Sequence, residues 1–193
     1  MEGSDAMSTS ARPDSRLTYD DFLLFPDDGQ RHELIDGEHY VTPSPNLRHQ
    51  KLSGRLHLSL AEYLRAHPLV GEVYYAPLDV VLSHWDIVEP DLLFVAADQQ
   101  SILTEKNVVG APALVVEILS PSTRRRDQQL KQRLFEKSSV REYWMIDPER
   151  NTVTVDRLDE NAKFVRVGVL AADRALTTPL LPGWALPLGQ LFG

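Results

Sequence analysis

The chain has 193 residues, 42% hydrophobic and 25% charged, so it can bury a core without disulfide bonds or a structural metal. It contains no cysteine, which excludes disulfides and thiolate metal sites; any metal must be bound by oxygen or imidazole ligands. The formal net charge of −8 counts against passive coating of nucleic acid, although acidic metal ligands would contribute to the same charge.

The N-terminal segment is rich in small polar and charged residues and predicts a flexible leader over residues 1–16. A single domain is expected over residues 17–193. The leader has no apolar core typical of a signal peptide, and no run approaches the roughly 20 apolar residues needed to span a membrane. We therefore expect a cytoplasmic protein that does not contact membranes.

The first elements of the domain are a short helix and a hairpin. Thr18, with Asp21 three residues later, is typical of a helix N-terminus and predicts a helix ending near Phe25. The Asp-Gly pair at residues 36–37 predicts a tight turn between two short strands over residues 32–41.

A long helix is predicted from about Asn46 to His67, ended by Pro68. His49 extends its apolar stripe toward the N-terminus. The stripe consists of side chains at helical spacing: Leu52, Leu56, Leu60 and Tyr63.

The rest of the chain alternates strands with one further helix. A helix is predicted over Arg124–Lys137, buried through Leu130, Leu134 and Phe135. This order predicts an α/β or α+β fold, a mixed β-sheet flanked by helices, with an N-terminal hairpin. The predicted strands are Glu72–Leu82, Ile87–Ala96, Ala113–Leu119, Glu142–Pro148, Thr152–Leu158 and Lys163–Leu170.

Two carboxylates in otherwise apolar strands, Asp91 and Glu117, are the most informative residues. A buried carboxylate needs a partner, a metal or water, and Mg²⁺ prefers carboxylate oxygens. If the two strands are neighbours, both side chains could face one cleft and bind metal. The alternative, equally weighted on spacing alone, is an exposed edge-strand Asp91 and a Glu117 paired with an arginine.

Lys131 follows on the next predicted helix, four residues after Asp127. Spacing favours a surface ion pair between the two. The other interpretation is a cation at the cleft that orients water or a phosphate. Glu33 and His49 are weaker candidates, since such residues are more often a solvated cross-strand acid and a satisfied core histidine.

Three consecutive arginines open the same helix, where positive charge opposes the helix dipole. Either nearby acids compensate them, or they serve an anion such as phosphate, for which Arg124 and Arg125 are the candidate substrate-binding residues. Phosphate-binding glycine loops, serine-hydrolase elbows and zinc-protease motifs are missing from the sequence.

Ordered motifs through most of the chain closely resemble the bacterial restriction endonuclease family of the Uma type. The resemblance runs from about Leu17 to the C-terminus. It implies the restriction endonuclease-like fold of the PD-(D/E)XK nuclease superfamily. The motifs that carry it are HELIDGE, PSPNLRHQ, APLDVVLS, EPDLLFV, LVVEILSPSTRRRD, KQRLFEKSSVREYWMIDP and PLLPGWAL.

This resemblance implies that Asp91 matches the aspartate of the PD element and Glu117 the acidic position of (D/E)XK. The lysine position of that motif holds Leu119, which cannot serve. The resemblance implies that Lys131 takes its place from the following helix. Glu33 and His49 match positions near the family's site.

The resulting hypothesis is an endonuclease dependent on Mg²⁺ or Mn²⁺ that hydrolyses phosphodiester bonds of DNA. Asp91 and Glu117 would bind the metal, Lys131 would position water or phosphate, and Glu33 and His49 would support the site. The alternative is a weak or inactive module of the same fold that binds nucleic acid or protein. A third interpretation is a structural protein that assembles through its sheet edges, and on the same grounds we expect a homodimer.

Overall fold

The computed structural model describes residues 16–26 and 28–193. Residues 1–15 of the expected leader lie outside this described part. Arg16, the last leader residue, is placed: its guanidinium lies 3.3 Å from the Asp36 carboxylate and stacks over the Trp85 ring.

Thirteen strands and four α-helices make up the described chain. The helices are α1 (Tyr19–Phe22), α2 (Leu47–Ala66), α3 (Gln132–Lys137) and α4 (Leu188–Phe192), with a 3₁₀ helix at Ala97–Ile102 and a π-helical segment at Arg126–Lys131. The strands are β1 (Arg31–Ile35), β2 (Glu38–Thr42), β3 (Gly71–Tyr75), β4 (Val80–Ser83), β5 (Asp86–Val88), β6 (Leu92–Ala96), β7 (Val108–Val109), β8 (Leu114–Ile118), β9 (Glu142–Asp147), β10 (Thr152–Leu158), β11 (Phe164–Ala171), β12 (Ala175–Thr177) and β13 (Ala185–Pro187).

The strands form two main sheets. The central sheet has the order β11-β10-β9-β8-β6-β3, and only β8 and β9 run parallel in it. The second sheet has the order β2-β1-β5-β4-β7, and a small hairpin pairs β12 with β13. The predicted class, mixed β-structure flanked by helices with an N-terminal hairpin, is confirmed, with the strands divided between sheets.

Helix α2 covers one face of the central sheet. The Asn46 side chain accepts a hydrogen bond from the His49 amide and begins the helix. The leucines at positions 52, 56, 60 and 64 are buried and pack with Trp144 of β9 and Trp184 near the C-terminus. A second apolar cluster, including Val88, Leu93, Tyr143 and Phe135, fills the space between the two sheets and α3.

Two of the predicted strands were wrong in extent, because each divides between the two sheets. The run over residues 72–82 becomes β3 in the central sheet and β4 in the second sheet, with Pro77 between them. The run over residues 87–96 becomes β5 and β6, with Pro90 between them. Proline has no amide proton to donate to a strand ladder, so each proline interrupts its strand. Both interruptions lie where the chain crosses from one sheet to the other.

The first helix has the predicted capping box between Thr18 and Asp21 but ends at Phe22 instead of near Phe25. The helix predicted over residues 124–137 contains the π-helical segment, whose wider turn changes the angular position of its side chains. Leu130, predicted to be buried, is 37% exposed, whereas Leu134 is buried as predicted. The terminal helix α4 was not predicted.

Replacement of Leu56 by alanine is expected to destabilise the fold by about 2–5 kcal/mol, because Leu56 is fully buried between α2 and the central sheet. Denaturant unfolding measures this change. Leu58→Ala in the same helix removes a side chain that is 58% exposed and should change stability by less than about 0.5 kcal/mol. Equal losses would contradict the packing described for α2.

Candidate active site

Asp91 and Glu117 lie side by side because of the register between β6 and β8. Leu92 pairs with Val116 in this antiparallel ladder, so the residue before Leu92 lies opposite the residue after Val116. Both carboxylates are buried. One oxygen of Asp91 accepts a hydrogen bond from the Ile118 amide at 2.8 Å, which joins this side chain to β8.

The Asp91 carboxylate is held by two further side chains. Arg31 of β1 donates to Oδ1 at 2.9 Å, and Nε2 of His49, in the first turn of α2, lies 3.0 Å from Oδ2. Burial acts to raise the pKa of Asp91, but the hydrogen bond and charge of His49, together with Arg31 and the Ile118 amide, lower it below its usual value. Asp91 is therefore held as a carboxylate.

Lys131 reaches the same cavity from the π-helical segment. Its ammonium Nζ lies 2.6 Å from Oε1 of Glu117 and 2.7 Å from Oε1 of Glu33. Burial acts to lower the pKa of Lys131, but the charges of Glu117, Glu33 and Asp127 raise it above its usual value. The lysine is thus a buried, charged ammonium shared by two carboxylates.

Glu33 connects β1 to this cluster. Besides Lys131, its carboxylate contacts Arg126 at 3.3 Å and accepts a hydrogen bond from the Glu89 amide at 3.0 Å. Although burial raises the pKa of Glu33, the positive charges of Lys131 and Arg126 outweigh it and lower the pKa. Arg126 also donates to the Thr42 hydroxyl at 2.6 Å.

The buried acids outnumber the permanent cations beside them. Five buried carboxylates line one cavity, accompanied among the described residues by three little-exposed cations, Arg31, Arg126 and Lys131. The excess shows at Glu117, whose pKa is raised well above its usual value by burial and by the negative charges of Asp127 and Asp91. The five acids are Glu33, Glu89, Asp91, Glu117 and Asp127.

The cavity has a volume of about 560 Å³ and opens between three loops. Its rim comes from the segment before α2 with the first turn of that helix, the turn after β8 and the turn after β9. The rim residues are Pro43, Ser44, Pro45, Asn46, Arg48, Ser120, Pro121, Pro148, Glu149 and Asn151.

All five residues predicted for catalysis or support line this one cavity. The structure thus differs from the alternatives of an exposed Asp91 and a surface pair between Asp127 and Lys131, because all three side chains are buried. The predicted positions are Glu33, His49, Asp91, Glu117 and Lys131.

The structure does not bring the two predicted substrate-binding arginines into the cavity. Arg124 instead contacts Asp147 at 2.6 Å and Glu149 at 2.8 Å, so acids compensate its charge. Arg125 is exposed. The arginine that lines the cavity is Arg126, the third of the run.

Arg31, Glu89 and Asp127 line the cavity but were not predicted as site residues. Two-residue alternation could have suggested the first two, because Arg31 shares a strand face with Glu33 and Glu89 shares one with Asp91. Asp127 was recognised only as a partner of Lys131. Its position four residues before Lys131 and seven before Leu134 follows helical spacing, which could have indicated that it turns inward.

Comparison with known proteins assigns the chain to a family. A family model named Uma2 and described as "Putative restriction endonuclease" matches residues 19–189. The chain belongs to this family. The predicted family is therefore confirmed over nearly the whole described domain.

A solved structure shows the same fold. It is described as the crystal structure of a putative nuclease belonging to DUF820 from Anabaena variabilis, with 20% sequence identity and a TM-score of 0.76. The match covers 91% of this chain and 97% of that one. No curated protein matches the chain. No helix in the described ranges is long and apolar enough to cross a membrane.

The acidic side chains of this Uma2-family cavity offer carboxylate oxygens, the donor type that hard divalent cations prefer. Oε1 of Glu117 is bonded to Lys131, but Oε2 has no hydrogen-bond partner among the described residues. No group of three or more histidine and acidic side chains within residues 16–26 and 28–193 is arranged to hold a metal by itself. Two carboxylates completed by water form the incomplete protein shell that Mg²⁺ prefers, and the excess negative charge favours a cation.

Replacement of Lys131 by methionine is expected to destabilise the protein by about 3–5 kcal/mol at neutral pH, because Glu117 and Glu33 lose their shared cation while buried. Urea unfolding measures the change. Lys137→Met, at an exposed position of α3, is the matched control and should have little effect. A Lys131→Met variant as stable as this control would contradict the buried ion cluster.

Proposed function

We propose that this protein is an endonuclease dependent on Mg²⁺ or Mn²⁺ that hydrolyses phosphodiester bonds of DNA. The observation that supports it best is the convergence of Asp91, Glu117 and Lys131 in one cavity. Membership of the family described as restriction endonucleases supports the reaction class and the nucleic acid substrate.

In this proposal Asp91 and Glu117 hold the metal. A divalent cation bound there would lower the pKa of water and stabilise negative charge on phosphate oxygen. Arg31 and His49 fix the Asp91 carboxylate in its ionised form and orientation. Burial of both acids excludes bulk water, which strengthens their interaction with a cation.

Lys131 is assigned the role that the lysine of the (D/E)XK motif would have. Its ammonium has three N–H donors; it donates to Glu117 at 2.6 Å and lies 2.7 Å from Glu33. The third is available to orient water or a phosphate oxygen. Leu119, at the usual lysine position, is buried and carries no charge.

The substrate is proposed to approach through the rim, where Arg48 and Asn151 are joined by a hydrogen bond of 2.6 Å. Arg48 and Arg126 line the cavity and are the proposed phosphate ligands. A guanidinium binds phosphate through paired donors. The net charge of −8 requires this attraction to be local.

Purified protein with Mg²⁺ or Mn²⁺ is expected to cleave supercoiled plasmid DNA. Asp91→Asn and Glu117→Gln should lose activity on the order of 100-fold or more, because each removes a charged ligand oxygen. Gel electrophoresis of the plasmid over time measures the rates.

Glu160→Gln, an exposed acid in the turn between β10 and β11, controls for the loss of one negative charge and should cleave like the wild type. A chelator of divalent cations should abolish cleavage by the wild type and by this control variant. Full activity in both site variants would contradict the assignment. Binding of DNA without cleavage would favour the alternative, a non-catalytic module of the same fold.

We further propose a cytoplasmic homodimer. The strands β2 and β7 end the second sheet, and β3 and β11 end the central sheet, so backbone groups are available for pairing with a second copy. Multi-angle light scattering is expected to give twice the mass of the chain. A mass equal to that of one chain at micromolar concentration would refute the dimer.

A further inference from the structure

Asp127 is a buried acid of the cavity to which the proposed function assigns no role. It lies on the π-helical segment, one turn before Lys131, and is only 2% exposed. Its Oδ1 atom is buried and has no hydrogen-bond partner among the described residues. An unsatisfied buried carboxylate oxygen is costly, so its presence calls for an explanation.

Lys131 has two acceptors in place and a third just out of reach. Its Nζ lies 2.6 Å from Glu117 and 2.7 Å from Glu33, but 3.9 Å from Oδ1 of Asp127. The last distance is too long for a hydrogen bond, and a movement of about 1 Å would make it one. Glu33 lies within contact distance of the ammonium before such a movement and can remain its partner afterwards.

A divalent cation at Glu117 would disturb this arrangement. It would share the carboxylate that now holds Lys131, and like charges at such short range repel strongly in a buried site. The ammonium would be driven away from Glu117, and the unpaired oxygen of Asp127 is an acceptor within the same cavity.

We propose that Asp127 is a positioning residue that receives the Lys131 ammonium when a divalent cation binds Glu117. This inference rests on the proposed function, since it requires a cation at Glu117. Asp127 acts through Lys131 and does not itself touch the cation. The π-helical segment carries both residues, and such segments occur frequently at functional sites.

The test is a double-mutant cycle read by calorimetric titration with Mn²⁺ alone. Asp127→Asn is expected to weaken Mn²⁺ binding roughly 10–100-fold, because a neutral amide attracts the ammonium less than a carboxylate does, so Lys131 remains on Glu117 and competes with the cation. In a Lys131→Met background the same substitution is expected to have little further effect, because the residue through which Asp127 acts is absent.

Two further variants serve as controls for the cycle. Asp127→Glu keeps a negatively charged carboxylate near Lys131 and should retain most of the affinity. Asp173→Asn removes an exposed negative charge elsewhere and should bind Mn²⁺ like the wild type. Equal losses from Asp127→Asn in both backgrounds would overturn the inference and leave the proposed function standing. Absence of Mn²⁺ binding by the wild type would overturn both.

A second measurement, made on the wild type, tests the inference even if Asp127→Asn does not fold. In protein labelled with ¹⁵N-lysine, the ammonium resonance of Lys131 is identified by its loss in Lys131→Met. The inference requires this resonance to shift as Mg²⁺ is added. A resonance that stays constant while Mg²⁺ binds would overturn it.

Discussion

The Lys131 ammonium holds together parts of the fold that would otherwise repel each other. It lies within hydrogen-bond distance of Glu117 in the central sheet and of Glu33 in the second sheet. The Arg31–Asp91 ion pair makes a second connection between β1 and the acid beside β6. The two sheets can therefore meet around five buried acids only because cations are built into the same interface.

The local elements were predictable where short-range chemistry determines them. The capping box at Thr18, the hairpin around residues 36–37 and the hairpin of β10 and β11 follow from neighbouring residues alone. The division of strands between sheets was not predictable in the same way. Pro77 and Pro90 mark breaks in the ladders, but only tertiary contacts determine which sheet each half joins.

The site was predictable as a set of residue types and less so as an arrangement. Buried strand acids such as Glu117 are conspicuous in sequence, and the family resemblance identified Lys131. Asp127 and Lys131 are buried at helical spacing from Leu134 and Phe135, but spacing alone does not show that two charged residues, and not Leu130, face the interior. Of the three consecutive arginines, Arg126 lines the cavity and its two predecessors do not.

The chain passes from the central sheet to the second sheet and back within the stretch from β3 to β6. The cavity is built from positions as far apart in sequence as Arg31 and Lys131. Contacts of such high sequence separation form late in folding, since long loops must close first. Charged side chains that require one another will thus remain apart, and solvated, until most of the domain has assembled. A fragment of this protein, or a chain still emerging from the ribosome, would lack the cavity altogether.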